Sequence, residues 1–568
     1  VDPDGRPNGT GAPRRITVPE NARCWLPPGL HDAPAWGISC QLYEVRSSRN
    51  WGIGDFADLA ELARICGEAG ADFLGVNPLH ALFLSAPERR SPFSPSNRRF
   101  LNPLYIAVDR VPGAETPTGL DALRALDRVD YCSVRKVKMS ALRDAFEREP
   151  FAGPGDRDAF GTFALAGGTA LRLHAVFEAI SHQLEAEGYS AGWRCWPEVL
   201  QDPASPEVQR LSEDLALEIE FHTWLQWIAR RQLSEAARAA RDAGMRIGLY
   251  LDLAVGEAPD GSSTWSGAAA ALPGLSVGAP PDVFATGGQN WGLAAPSPAS
   301  LRAADFVPFR DMIEAQLSDA GALRIDHAMA LWQLFLIPEG EAAAHGTHLR
   351  QPFADLVGIL ADLSYDHEAL IIGEDLGLVP NGFREAMREA NILSYRILYF
   401  EQTARGFKGL SGYPESALAC LSTHDLPIMS AWWRGRDIEL RESHGLVDPE
   451  ASKQHAAHRA WERRAMIRAL RRGKALTGRA NAEAEDLPDA VLDAAHRFVA
   501  RTPSLLAGVR LADLVGPEEP TNLPGTDDTY PNWQLRSPVD LADIPSHPVF
   551  RRITALMREE RPRPGAGG

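Results

Sequence analysis

The chain is poor in the features that would place it in a specialised class of protein. Cysteine is sparse: six residues (Cys24, Cys40, Cys66, Cys132, Cys195 and Cys420) are scattered over 568 positions, with no Cys-x-x-Cys pair. That excludes the dense disulfide framework of small secreted proteins, and the thiols are expected to be reduced and mostly buried. No apolar run approaches the roughly 18–20 residues that cross a bilayer, and the first residues carry no apolar signal core. A cytoplasmic setting with no membrane partner is expected. Positive charge is short as well: 58 Lys and Arg face 75 Asp and Glu, a formal net charge of -17. Surfaces that track phosphates need clustered Lys and Arg, so nucleic acid is excluded as a partner and a neutral substrate fits better. Biased composition is confined to the two ends, and with hydrophobic types at 45% the chain can bury a large core.

Alternation organises the chain. Short segments rich in apolar and β-branched residues recur at 36–43, 72–79, 246–254, 322–329, 370–376, 394–400, 417–424 and 505–514, separated by amphipathic stretches. Almost fully apolar strands between helical patterns indicate a parallel sheet covered by helices, and eight of them predict an α/β fold, a closed (β/α)8 TIM barrel. Phe221, Trp224, Leu225 and Ile228 fall at i, i+3, i+4 and i+7, which predicts one buried stripe on a helix leading into the third strand. Residues from about 80 to 245 are too many for an ordinary loop and read as an inserted helical subdomain within the barrel unit, 19–555. Because it follows a barrel strand, it is expected to wall one side of the catalytic face. Residues 1–18 and 556–568, rich in Gly, Pro and Arg, are expected to be flexible tails.

Three acidic residues sit at the ends of three of these segments: Asp326 in Leu-Arg-Ile-Asp-His, Glu374 in Ile-Ile-Gly-Glu-Asp and Asp425 in Ser-Thr-His-Asp. Carboxyl groups on different strands can converge as nucleophile, proton donor and stabiliser of a glycosidic bond in cleavage. Arg324, two residues before Asp326, points to the same side of a strand and would keep that carboxylate ionised. Glu374 follows an apolar run in which partial desolvation favours the protonated acid. His327 and His424 each flank a carboxylate and, as neutral imidazoles, can bond sugar hydroxyls. Asp375 reads as a cap for the following helix. The competing chemistry is a divalent metal held by the three carboxylates, which Arg324 opposes electrostatically. A second cluster lies at 278–293, a Pro- and Gly-rich stretch that displays Phe284, Gln289, Asn290 and Trp291 and reads as a loop whose aromatic faces and amides suit a polyol.

These motifs in this order resemble a known family. The segments 46–56, 77–80, 91–96, 102–105, 278–293, 323–327, 373–377, 422–427 and 522–526 are similar to those of the amylomaltases, the bacterial 4-alpha-glucanotransferases of glycoside hydrolase family 77. The resemblance implies Asp326 as nucleophile, Glu374 as general acid/base and Asp425 as transition-state stabiliser. It further implies glucan contacts from Arg324, His327, His424, Asn77, Ser94, Asp282, Gln289 and Trp291, with maltooligosaccharides and other α-1,4-glucans as substrates and no metal or organic cofactor. Phe93 stands where many members carry Tyr, so that hydroxyl is missing. The 192–198 stretch and the large insertion look closest to the maltose-utilising bacterial members. Those often carry extra N-terminal domains, so a shortened or partial form is expected. An α-glucan hydrolase, or a glycan-binding protein with a dead site, are the alternatives.

Overall fold

The structure is a computed structural model that describes residues 21, 23–267, 271–281, 287–526 and 529–563. The expected tail at 1–18 lies outside the described residues.

Eight short strands close into a barrel: β1 (Ala35–Cys40), β2 (Phe73–Val76), β3 (Gly248–Leu253), β4 (Ala322–Ile325), β5 (Leu370–Gly373), β6 (Leu393–Ile397), β7 (Ala417–Cys420) and β8 (Leu506–Arg510). Each pairs in parallel with the next, and β8 returns to β1 with Ala35 opposite Leu506. All eight match the apolar segments read from sequence, because a strand covered by barrel interior on one side and helices on the other has no polar face. Packing at the seam is close. A Cβ on Gly37 would meet the Phe73 ring at 2.4 Å, so only glycine fits beside that aromatic.

Helices α1 (Phe56–Glu68), α2 (Ala216–Asp242), α3 (Val307–Leu317), α4 (Phe353–Asp366), α5 (Phe383–Glu389), α6 (Pro449–Arg472), α7 (Asp489–Ala500) and α8 (Pro548–Glu560) cover the strands. The motif at 46–56 builds the start of α1. Asp55 accepts from the N–H groups of Ala57 and Asp58, and Asp58 accepts from the Asp55 N–H, a reciprocal cap. Arg49 bridges both carboxylates and Asp109, while the Asn50 amide bonds Val45 O and Asp58. Between β6 and β7 the described residues form 3₁₀ turns and a short hairpin, with no α-helix. There α6, from the following connection, packs on the hairpin, and Arg472 donates to Phe407 O.

The insertion after β2 ends earlier than expected. Helix α2 packs on α1 as part of the barrel layer, burying Phe221, Trp224, Leu225 and Ile228, so the insertion closes near residue 215. Its long helix, Asp156–Ala186, is apolar and long enough to cross a membrane by length and composition alone. It bends instead at Gly168 (φ 54°) and its second half packs Phe177 with Phe83, Trp196 and Trp265. Both ends of the 278–293 segment are strand, not loop. They belong to a hairpin, Ala271–Ala279 with Gln289–Pro296, in a four-stranded antiparallel sheet completed by Gln333–Pro338 and Thr347–Arg350.

Nor does a tail begin at 556. Helix α8 runs to Glu560, and the next residue, Arg561, is buried, donating to the carbonyls of Ala500, Thr502, Leu505 and Ala35. Four carbonyls near the β1–β8 seam therefore meet on one guanidinium, and one of them, Leu505 O, has a second donor in the Ala35 N–H. Arg561→Ala is expected to lower the unfolding free energy by about 2–4 kcal/mol, since it strands several buried acceptors. Urea unfolding checks this, and a change under about 0.5 kcal/mol, the usual size for surface substitutions, would refute it.

Candidate active site

Three carboxylates stand at the C-terminal mouth of the barrel. Asp326 directly follows β4 and donates its N–H to Leu253 O, while Glu374 directly follows β5 and donates to Ile325 O. Asp425 lies in the turn beyond β7. All three line one cleft of about 630 Å³, together with Ser94, Gln289, Trp291, His327 and His424. The strand ends fix the first two rigidly, because their backbones are ladder partners of neighbouring strands.

Beneath Asp326 lies a charge chain. Arg324 Nη1 reaches both oxygens of Asp252 at 2.6 and 2.8 Å, and its Nη2 bonds Asp326 Oδ1 at 2.8 Å. Arg324 and Asp252 are only 7% exposed, so the guanidinium is enclosed and supports Asp326 from below. Burial pushes the Asp252 carboxyl up to about 6, against the pull of Arg324.

Glu374 is also nearly enclosed. Its Oε1 accepts from Leu376 N–H at 2.7 Å and its Oε2 from His327 N–H at 2.9 Å. Burial raises its carboxyl to about 7; Arg324 opposes this and Asp326 adds to it. His327 has φ 45°, a left-handed backbone uncommon outside glycine. That bend aims its N–H at Glu374, and strain of this kind gathers at functional sites. Burial holds the His327 ring down to about 4 despite Asp326, leaving it neutral at pH 7.

Asp425 is held from two sides. Asn522 donates to its Oδ1 at 2.6 Å, and His424 Nε2 stands 3.2 Å from its Oδ2. Partial enclosure disfavours its charge, but His424, Asn522 and Arg324 outweigh that and bring the carboxyl down to about 2. The missing hydroxyl at Phe93 leaves an aromatic plate: its ring stacks on His424 at 4.8 Å and leans on Trp533. Across the cleft, Trp291 donates to Gln289 Oε1 and meets the His327 ring edge-on at 5.0 Å. Its other side rests on the cluster of Val277, Leu293, Leu334 and Leu336.

One residue expected in the cleft lies elsewhere. Asn77 is buried, with its oxygen taken by Leu42 N–H and its amide by Pro78 O and Tyr105. It locks the β1 and β2 loops together and faces no cleft. Asp282, like Phe284, lies outside the described residues. Asp375 is no helix cap. Fully buried, it accepts from Arg384, Ser394, Tyr395 N–H and Arg396, tying β5 to β6. Sequence reasoning missed Asp252 and Asn522. The first was visible as the one charge inside the apolar run Gly248–Leu253; the second opens the 522–526 motif but lies 97 residues from its partner Asp425, which hid its role. Among the described residues no group of three or more His, Cys, Asp or Glu is disposed to hold a metal ion.

The profile of glycoside hydrolase family 77, 4-alpha-glucanotransferase, matches residues 40–541. The chain is 36% identical to the 4-alpha-glucanotransferase of Haemophilus influenzae over 96% of this chain and 81% of that protein. With the 4-alpha-glucanotransferase of Mycobacterium tuberculosis it shares 37% identity over 90% of this chain and 72% of that one. The crystal structure of amylomaltase from Corynebacterium glutamicum superposes with a TM-score of 0.84 at 31% identity, covering 94% of this chain and 77% of that one. On the extent of the profile match and of these alignments, the chain belongs to the 4-alpha-glucanotransferases of glycoside hydrolase family 77.

Proposed function

We propose that this chain cleaves an α-1,4-glucan and passes the released glycosyl segment to the 4-hydroxyl of a second glucan or of glucose, with retention at the anomeric carbon. The observation that carries the reading is the pairing, in one cleft, of Asp326 on the Arg324 guanidinium with a Glu374 carboxyl raised to about 7. Asp326 attacks the anomeric carbon while Glu374 gives its proton to the departing oxygen. The resulting Glu374 carboxylate then takes the proton from the acceptor hydroxyl as that oxygen displaces Asp326, and two inversions restore the configuration. Asp425, ionised and held by Asn522, faces the hydroxyls of the ring under distortion. Neutral His327, with His424, Ser94, Gln289 and Trp291, supplies the polar and aromatic contacts that a neutral maltooligosaccharide needs.

Transfer exceeds hydrolysis when a bound sugar reaches the intermediate before water, which depends on acceptor alignment. The Phe93 and Trp533 wall facing Trp291 gives such an acceptor apolar ring faces to lie on. The six cysteines are all free thiols, two of them (Cys132 and Cys195) exposed, which supports a reducing, cytoplasmic setting.

Incubation with maltotriose tests the reading: glucose together with a ladder of longer maltodextrins is expected. Glucose and maltose alone would make the enzyme a hydrolase. Asp326→Asn should reduce transfer at least about a thousandfold, a loss typical of removing a catalytic group, and stability should stay near wild type.

The rate should also fall on the alkaline side. Glu374 must be protonated to act as acid, so kcat/KM is expected to drop about tenfold per pH unit above an apparent pKa near 7. An alkaline limb lying beyond pH 9 would overturn the assignment of Glu374 as the acid.

Trp291 divides its contacts between the cleft and the sheet. Trp291→Ala should raise the ratio of hydrolysis to transfer with maltotriose by about threefold or more, because lost alignment penalises a sugar more than water. A lower melting temperature with an unchanged product ratio would make Trp291 a packing anchor only.

A further inference from the structure

The turn that carries Asp425 is gripped by a side chain from another strand. Arg510, the last residue of β8 and only 8% exposed, extends Nη1 to two carbonyls, Thr423 O at 2.8 Å and Leu426 O at 2.7 Å. Those carbonyls bracket His424 and Asp425, so one guanidinium nitrogen pins both ends of the segment between them. Its Nη2 donates to the Thr521 hydroxyl at 3.2 Å, and that hydroxyl donates to Glu44 Oε1 at 2.7 Å. Thr521 immediately precedes Asn522, whose amide holds Asp425 Oδ1. Arg510 thus joins the backbone of the Asp425 turn to the strip that binds the Asp425 side chain.

We infer that Arg510 is a positioning residue for the glycosyl transfer, acting solely through Asp425, with Glu44 and Thr521 as its buried anchor. This rests on the role given to Asp425 above. Arg510 lines no part of the catalytic cleft. It borders a separate chamber of about 50 Å³ under the barrel mouth, shared with Glu44, Thr423 and His424. Its effect on a bound glucan must therefore pass through the turn. A stabilising carboxylate matters chiefly in the transition state, and displacement of a reacting group by about 1 Å can cost roughly a hundredfold in rate. Glu44, fixed in the turn after β1, accepts from the Thr521 hydroxyl and so ties the guanidinium to a third loop. Three barrel loops, after β1, β7 and β8, thereby meet on one residue.

The test is a double-mutant cycle assayed with α-maltotriosyl fluoride as donor, whose reactive leaving group keeps weak variants measurable. Arg510→Ala alone is expected to lower kcat about a hundredfold with KM changed less than about threefold. In an Asp425→Asn background the same substitution should cost less than about threefold, since residues acting as one unit are not additive. Equal losses in both backgrounds, or a loss confined to KM, would overturn the inference. Thr521→Val, which removes one hydroxyl and no charge, covers the case in which Arg510→Ala does not fold. It should reduce kcat about tenfold in the wild type and leave Asp425→Asn unchanged, and an equal loss in both would again overturn it. Wild-type rates in Asp425→Asn alone would refute the role of Asp425 itself, a separate result.

Discussion

One cation shared by two carboxylates supports the catalytic mouth. Arg324 joins Asp252 on β3, both all but sealed from water, to Asp326, which opens to the cleft at the end of β4. A buried charge is tolerated only when paired, and removal of one member leaves the others uncompensated. Asp326 is thus fixed in place by the same contact. Burial, and to a lesser extent Asp326 itself, raises the Glu374 carboxyl against the pull of Arg324, so one guanidinium acts on both carboxylates at the mouth.

Around that core the barrel and its insertions divide the work. Strand ends set the carboxylates, whose positions must hold to within fractions of an ångström. The insertion after β2 and the sheet after β3 contribute the faces opposite: Phe93 and Ser94 from one, Gln289 and Trp291 from the other. Recognition is therefore built on elements that can vary without disturbing the ladder that holds Asp326 and Glu374.

How much of this is legible in the sequence follows from range. The eight strands could be read because burial on both faces leaves a local, almost uninterrupted apolar run. Asp326, Glu374 and Asp425 stood out as charges at the ends of such runs. What escaped was decided by partners distant in the chain. The second carboxylate on Arg324, that of Asp252, lies 72 residues away and was not legible. Asn77 looked like a cleft residue because its partner Tyr105 comes from another loop. The strand residues at the two ends of 278–293 passed for loop because glycine and proline are frequent there; the register shifts where Val277 gives way to Gly278, and such bulges tolerate residues that ordinary strands avoid.

The way the two ends of the barrel are sewn together bears on how the chain acquires its shape. Arg561 donates to Ala35 O across 526 residues, and Arg563 joins Arg246 on the buried carboxylate of Asp72, 491 residues away. Strand β1 thus has no partner on one edge until β8 and the residues after α8 have been synthesised. Contacts of such separation are slow to form, and an open parallel edge is prone to pair with other chains in the interval. Ribosome-bound chains halted before residue 506 would therefore present β1 and β7 as free edges and be natural clients for chaperones.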